Sequence, residues 1–576
     1  MLPSAPLPGF LATTGEVRTA NPLIDGVHAA TYGDVRLSQW GLAAPDSAEN
    51  PVLIASRVVR RATGQVRSGE VARQMRVDAR SLRDMLPPFA AVAAGTTGVQ
   101  MVADSMGFGQ LFHTDAGHSG ASAMSSSALM IGRVAGLGLD ETAVGVQSLL
   151  GWQLGQRTLF AGLSKLAPGA VASLDAHGVS ILEDSQAAAS AITRRAAVVA
   201  AATLLRTALE ALLDDHPDAV LQLTGGMDSR LLLSAIPEAR RRGLRAMTLD
   251  VEGKGDVAIA RQLSRRYGVR HDVRGLLEVG ATTPEQAWAL CRAEASRLDA
   301  MSDPVALAAQ RIAERAFDQG VRISGLGGEI ARGFYYVGRV ADRSYTRADA
   351  ARLASWRMFV NDAVEPGLLR EEFGAWARER AIDEVHAALL AGGPEWFRAT
   401  DELYLRHRMQ RWAGATDGAV ANDRVVINPM LDHGFLALAA RLRPRDKVGS
   451  RFLAELQMEL DPELGRVPLD GRPAPAAYAH PSAWQPLTQA IGTGQRVARK
   501  ALQRVRRGNR PPAGGEVMAA KVVEHWRAEP RIVAELASVP FVREEWVTGM
   551  LSGQINPRPS SVAFVTNLLV TTGADE

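Results

Sequence analysis

The chain carries one cysteine, Cys291, in 576 residues. No internal disulfide framework can form, so stability must come from packed core, and a lone thiol suits a reducing, cytoplasmic setting. Long apolar runs are missing too. No uninterrupted stretch reaches the roughly 18 residues of a membrane span, and no basic segment leads into an apolar one near Met1, so neither a span nor a signal peptide is expected. Charge of one sign is also lacking: 65 Lys and Arg against 62 Asp and Glu leave a net +3, which gives no global attraction to nucleic acid. The phosphate loop G-x-x-x-x-G-K-[ST] occurs nowhere. A hydrophobic content of 47% with 22% charged residues is that of a globular protein, and the length allows about two to four domains.

The pattern changes near residue 185. Before it, short apolar runs such as Phe89–Ala94, Gly98–Asp104, Gln110–His113 and Ala128–Ile131 are separated by Gly, Asp, Ser and Pro. This predicts antiparallel sheet with turn chemistry in the loops. After it, Ala187–Leu213 reads as a long helix stopped by Asp214-Asp215-His216-Pro217. A strand ending near Leu223, a helix Arg230–Ile236, a strand Ala246–Val251, a helix Val257–Tyr267 and a strand His271–Val273 follow. Strands alternating with helices predict a parallel sheet with a ligand at its carboxyl edge. Beyond about residue 345 the chain reads as mostly helical.

The most informative segment is Leu223-Thr224-Gly225-Gly226-Met227-Asp228-Ser229-Arg230. A strand ends in a hydroxyl, two glycines, an acid and a serine, then a helix starts. Glycines permit close backbone approach, and N–H groups at a helix start attract anions. Asp228 would repel a phosphate unless a cation lies between them, so the segment implies Mg²⁺. It reads as a pyrophosphate cradle for ATP cleaved to AMP; the plain alternative is a turn containing Gly-Gly.

These residues resemble the S-G-G-x-D-S cradle of the asparagine synthetase-like family, with Thr224 in place of the first serine. Further blocks follow in the family's order. They are Met247-Thr248-Leu249-Asp250, Asp256 to Leu263 with Gly268 and His271, Asp303-Pro304, Ser324-Gly325-Leu326-Gly327-Gly328-Glu329, Pro429-Met430-Leu431-Asp432 and Arg451-Phe452-Leu453. The resemblance implies a PP-loop ATP pyrophosphatase-type α/β synthetase domain with extra helices over residues 186–576. Residues 1–185 resemble the family's glutaminase domain, an Ntn-type antiparallel β-sandwich, through Phe89-Ala90-Ala91-Val92, Val102-Ala103-Asp104-Ser105-Met106-Gly107 and Leu166-Ala167-Pro168-Gly169. Glutaminase chemistry needs an N-terminal thiol, whereas Met1 is followed by Leu2 and Pro3, and no R-G-P-D motif occurs. That part is expected to be an inactive scaffold, and Cys291 a buried structural thiol.

Between Gly325 and Gly327 the asparagine synthetases carry Glu and the β-lactam synthetases Tyr; here Leu326 cannot take a proton. With Glu402-Leu403-Tyr404-Leu405-Arg406 and Arg408-Met409-Gln410-Arg411-Trp412, the chain is similar to the lasso peptide cyclases. The resemblance implies adenylation of an Asp or Glu side chain in a precursor peptide and attack by that peptide's α-amine. It implies Asp228 and Glu329 as Mg²⁺ ligands, with Gly225, Gly226, Thr224 and Ser229 on pyrophosphate. Leu223, Leu249, Ser324 and Gly325 would frame adenosine. Arg451, then Arg472, are the candidates for stabilising transition-state charge. Tyr335, Tyr336, Glu402 and His407 are candidate proton acceptors, each with a structural reading beside the catalytic one, and proximity alone could serve. A small-molecule amide synthetase and an inactive scaffold are the alternative functions. A leader-binding protein and a leader peptidase are implied partners. The basic stretch Arg496–Arg510 lacks aromatics, which disfavours nucleic acid; it reads as a solvated stretch or a grip for an acidic peptide.

Overall fold

A computed structural model describes residues 7–14, 26–45, 47, 49–115, 121–183, 190–250, 255–275, 277–315, 320–337, 339–421, 423–480 and 514–573. Leu2, Pro3, Ala187, Val251 and the stretch Arg496–Arg510 lie outside the described residues.

The architecture is mixed α/β. Two antiparallel sheets build the first part. One has six strands in the order Leu163–Lys165, Phe112–Thr114, Ala123–Ser125, Gly9–Thr14, Val35–Trp40, His28–Tyr32. The other has five, in the order Gly178–Leu182, Val171–Asp175, Gly98–Ala103, Ala90–Gly95, Val52–Ile54. Phe10, Ala12, Val35 and Leu37 of the first meet Val92, Val99, Met101 and Leu174 of the second in one core. The second sheet's outer face puts Ala91, Val102 and Val171 under Val71, Ala72 and Met75 of the helix Ser68–Asp78. Strands covered on both faces read as continuous apolar runs, which is why Ala90–Gly95 shows no alternation.

One run is not a strand. Ala128–Ile131 lies in a helix, Ala128–Ala135, because Ser127 caps its start by accepting the Met130 N–H and Gly136 closes it at φ 63°. A short apolar run cannot separate the two conformations; the flanking caps can.

Among the described residues the last strand of the antiparallel sheets ends at Leu182, and the helix Arg194–Asp215 opens the second part. By length and mean hydropathy (1.7 over its best window) that helix could cross a membrane, yet half of the window is buried. Leu205, Leu209 and Leu212 enter the main core, while Arg194 pairs with Asp446 and Glu455 at its start. The parallel sheet runs Arg270–Gly275, Arg245–Asp250, Val220–Gln222, Arg322–Ile323, Val426–Ile427. Strand order runs outward from Val220–Gln222 in both directions, so the crevice beyond its carboxyl end is a switch point where ligands bind in such sheets. Helices fill the rest, and Cys291 is buried among them, where burial pushes its thiol up and leaves it inert.

The two parts share a core: Phe108, Leu150 and Trp152 cluster with Leu403 and Met409. Across this seam the buried Arg411 donates to the carbonyls of Gly155 (2.8 Å) and Arg157 (2.7 Å). Arg411→Ala is expected to strand both carbonyls, costing about 2–6 kcal/mol at roughly 1–3 per unsatisfied group. Thermal unfolding checks this; an unchanged first transition would show that the seam does not depend on it.

Candidate active site

The cradle follows the strand Val220–Gln222 and ends in the helix Asp228–Ala235. Its shape comes from its hydroxyls. The Thr224 N–H donates to Ser229 Oγ (3.0 Å), the two hydroxyl oxygens lie 3.0 Å apart, and the Gly226 N–H donates to Thr224 Oγ1 (3.1 Å). The Gly225 N–H donates to Asp256 Oδ1 (2.8 Å), and its carbonyl accepts from the Asp470 N–H (3.1 Å). This revises the expectation of open Gly225 and Gly226 N–H groups: buried donors need partners, and side chains of the same site supply them.

The second loop follows the neighbouring strand Arg322–Ile323. The Ser324 N–H is tied to the Ile427 carbonyl, and Gly325 and Gly328 bring the chain hard against the cradle. A Cβ on Gly325 would sit 2.8 Å from the Ser229 nitrogen, and one on Gly328 would sit 2.3 Å from Asp228 Oδ1. Only glycine allows this approach. It brings together Asp228 and Glu329, two acids 101 positions apart in sequence numbering (329 less 228).

Arg332 bridges them. Its guanidinium lies 3.3 Å from Asp228 Oδ2 and 2.8 Å from Glu329 Oε1. The other oxygens, Asp228 Oδ1 and Glu329 Oε2, are buried without a hydrogen-bond partner. Burial, and secondarily Glu329, push the Asp228 carboxyl up to about 7, while Arg332 and Arg472 pull it down. Two unpartnered hard oxygens on neighbouring turns fit Mg²⁺, which takes one or two carboxylates and completes its octahedron with other oxygen ligands. No group of three or more His, Cys, Asp or Glu gathers among the described residues.

Arg472 belongs to the site. A tight reversal between Leu469 and Arg472 sets Asp470 against Gly225 and Arg472 within electrostatic reach of Asp228. The buried Arg230 fixes that reversal by donating to the carbonyls of Val467 and Pro468. Arg451 opens the helix Arg451–Leu460, which packs on the turn Gly328–Arg332 bearing Glu329; its side chain is 43% exposed and pairs with Glu455 on its own helix. The backbone turns left-handed at Gly449 and Ser450, φ 67° and 60°, and it is Lys447, before that reversal, whose side chain is buried. Lys447 Nζ donates to Asp401 Oδ2 (2.7 Å), which also accepts the Tyr336 hydroxyl (2.8 Å). The turn Val448–Ser450, which follows Lys447, packs on the turn Gly328–Arg332, which bears Glu329. Sequence reasoning passed over Lys447 and Asp401. The available signal was scarcity: the chain has five lysines among 65 basic residues, and this one stands four before Arg451.

The remaining candidates are spread out. Tyr335 is buried edge-on to Phe334 and Tyr404, with Arg408 beside its ring system. Tyr336 donates its hydroxyl hydrogen bond to Asp401, and burial, with the Asp401 charge adding to it, pushes its ionisation far up, so it is not a ready proton acceptor. Glu402 accepts from Arg406 on its own helix. His407 is half-buried against the first part, where Nδ1 accepts the Gly155 N–H (3.2 Å). Leu326 packs partly buried on the core. Leu223 is fully buried in that core, whereas Leu249 packs with Val220 and Met247 on the other side of the sheet, so the two do not face one pocket. A cleft of about 230 Å³ opens near the strands' amino ends, lined by Val220, Arg245, Met247, Arg270 and Asp272.

No protein-family model matches the chain, and no curated protein matches it. A solved structure described as the allosteric regulatory enzyme of purine biosynthesis is similar over 47% of this chain and 76% of its own, with 11% identity and a TM-score of 0.21.

Burial holds the His407 imidazole down at about 4, with Arg411 and Arg406 adding to the effect. The unfolded chain protonates it below about 6.5. Its stabilising contribution is therefore full above that value and falls as pH drops towards 4, by about 1.4 kcal/mol per pH unit. Thermal melts from pH 7 to 5 should show a steeper loss for the wild type than for His407→Gln; parallel curves would mean His407 is not buried neutral.

Proposed function

We propose that this chain is an ATP-dependent amide ligase of the lasso peptide cyclase type. It would carry a PP-loop pyrophosphatase-type synthetase domain and a glutaminase-like domain kept as scaffold. One observation carries the reading: the cradle and the Asp228–Glu329 pair converge at the sheet's switch point, each acid keeping one buried, unpartnered oxygen.

The chemistry follows from these groups. An amide does not form spontaneously from a carboxylate and an amine in water, and the carboxylate is a poor electrophile. In the first step a carboxylate oxygen attacks the α-phosphorus of ATP, the bond to pyrophosphate breaks, and pyrophosphate leaves. In the second, the amine nitrogen attacks the acyl carbon, AMP leaves with the bonding pair, and the amine proton passes to solvent or a nearby base. Asp228 and Glu329 would hold Mg²⁺, which supplies charge neutralisation on the phosphates. Thr224 and Ser229 offer hydroxyls to pyrophosphate oxygens. Arg472 and Lys447 supply positive charge where negative charge develops. The Gly225 N–H would join them only when the nucleotide displaces Asp256.

A peptide substrate is supported by the surroundings. Tyr404 lies within electrostatic reach of Glu329 and stacks on Phe334. Arg408 lies over both Phe334 and Trp412. Trp412, Trp356 and Val337 are 41%, 58% and 65% exposed. A small polar substrate needs no such aromatic and apolar surround, whereas a peptide threaded into a ring gains from one that pre-folds it.

Incubation with a precursor peptide, ATP and Mg²⁺ should give AMP, pyrophosphate and a product lighter by one water. Asp228→Ala should abolish all three; persistence of product would sink the cradle assignment. Aspartate- and ammonia-dependent pyrophosphate release would instead mark a small-molecule synthetase. Lys447→Met should lower kcat by about a hundredfold, the scale of losing one electrostatic stabiliser, with KM for ATP little changed. A loss confined to KM would place Lys447 in ground-state binding alone.

A further inference from the structure

Arg332 stands on the short turn Gly328–Arg332, which begins and ends at left-handed glycines, Gly327 (φ 106°) and Gly333 (φ 65°). In a 3₁₀ turn, side chains three apart eclipse, so Glu329 and Arg332 point the same way and pair at 2.8 Å. The same guanidinium reaches Asp228 on the other loop at 3.3 Å. It thereby holds Asp228 Oδ2 and Glu329 Oε1, and the two remaining oxygens are the buried, unpartnered ones. A planar fork can grip two carboxylates at once; an ammonium on a flexible stem cannot fix both planes.

We infer that Arg332 is a positioning residue that grips one oxygen of each acid and presents the opposite oxygens to a single divalent cation. The inference rests on the proposed metal site and adds to it. Without the guanidinium, two neighbouring carboxyl groups lose the partner that holds them together; with it, their repulsion is offset and their bite is fixed. Outer partners of metal-binding carboxylates are worth about 10–100-fold in affinity. Arg332 also carries a charge that repels a metal, so the two roles predict opposite signs when it is removed.

Mn²⁺ titration, followed by the loss of its free-ion EPR signal with and without ATP and read against protein-free Mn²⁺ and Mn²⁺–ATP controls, separates them. Wild type should bind, Asp228→Asn should not, and both Arg332→Gln and Arg332→Lys should bind about 10–100-fold more weakly. Raising Mn²⁺ should restore pyrophosphate release in the Arg332→Lys protein, which a folding defect would not permit. If Arg332→Gln fails to fold, Arg332→Lys alone decides. Wild-type affinity in Arg332→Lys, or tighter binding in Arg332→Gln, overturns the inference while leaving the metal site standing. Failure of wild type to bind Mn²⁺ with ATP overturns the metal site itself.

Discussion

Two carboxylates must be buried side by side for this site to exist, and both desolvation and mutual repulsion oppose it. The fold meets that constraint with sheet topology and glycine. Asp228 and Glu329 hang from loops after adjacent parallel strands, Val220–Gln222 and Arg322–Ile323. Adjacent parallel strands lie less than about 5 Å apart, so their following loops are neighbours by construction. Gly325 and Gly328 remove the last Cβ atoms between them. Arg332 then supplies the compensating charge from within the same turn.

The first part supports this arrangement from a distance. Its own rigid centre is Asp104, fully buried, accepting the N–H groups of Phe89, Met106, Phe108 and Gly109 at 2.9–3.1 Å. The buried Lys165 donates to the carbonyls of Gly107 and Gly109. Gln410, His407 and Arg411 lean on carbonyl and N–H groups of this part. They belong to the π-helical segment Tyr404–Ala413, whose wider turn also carries Tyr404 and Arg408 to the rim of the acid site. Such segments are uncommon and recur at functional sites. The first part thus holds in place the segment that carries Tyr404, which lies within electrostatic reach of Glu329.

Much of this was legible in the sequence where a signal is local. The cradle announced itself by glycine, acid and hydroxyl at fixed spacing, and alternating strands and helices announced the parallel sheet. Signals that depend on distant partners were not legible. Arg332 is one arginine in an arginine-rich chain until Asp228 folds onto it. Lys447 and Asp401 are 46 residues apart, and only a left-handed reversal at Gly449 and Ser450 decides that Lys447 turns inward while Arg451 pairs on the surface. Leu223 and Leu249 look alike as strand-end leucines, yet one enters the main core and the other joins Val220 and Met247. Sheet alternation assigns faces, and a loop beyond the strand breaks the count.

The acids around the cradle carry a further consequence. Asp256 holds the Gly225 N–H, Asp470 lies against Gly225 and Gly255, and Asp228 and Glu329 form a separate pair bridged by Arg332. Against these stand Arg332, Arg472 and the more deeply set Arg230, whose hydrogen bonds are spent on backbone carbonyls. A polyphosphate entering alone would face carboxylates at close range in a site with little water, where Coulomb repulsion is weakly screened. A divalent cation entering alone would find two oxygens and need waters for the rest of its shell. Together each removes the other's obstacle: phosphate oxygens complete the metal's octahedron, and the metal cancels the charge that bars the phosphate. On the proposed function, nucleotide and metal binding at this turn would be coupled by electrostatics, and acids would line the anion site because its ligand would be the metal–nucleotide pair.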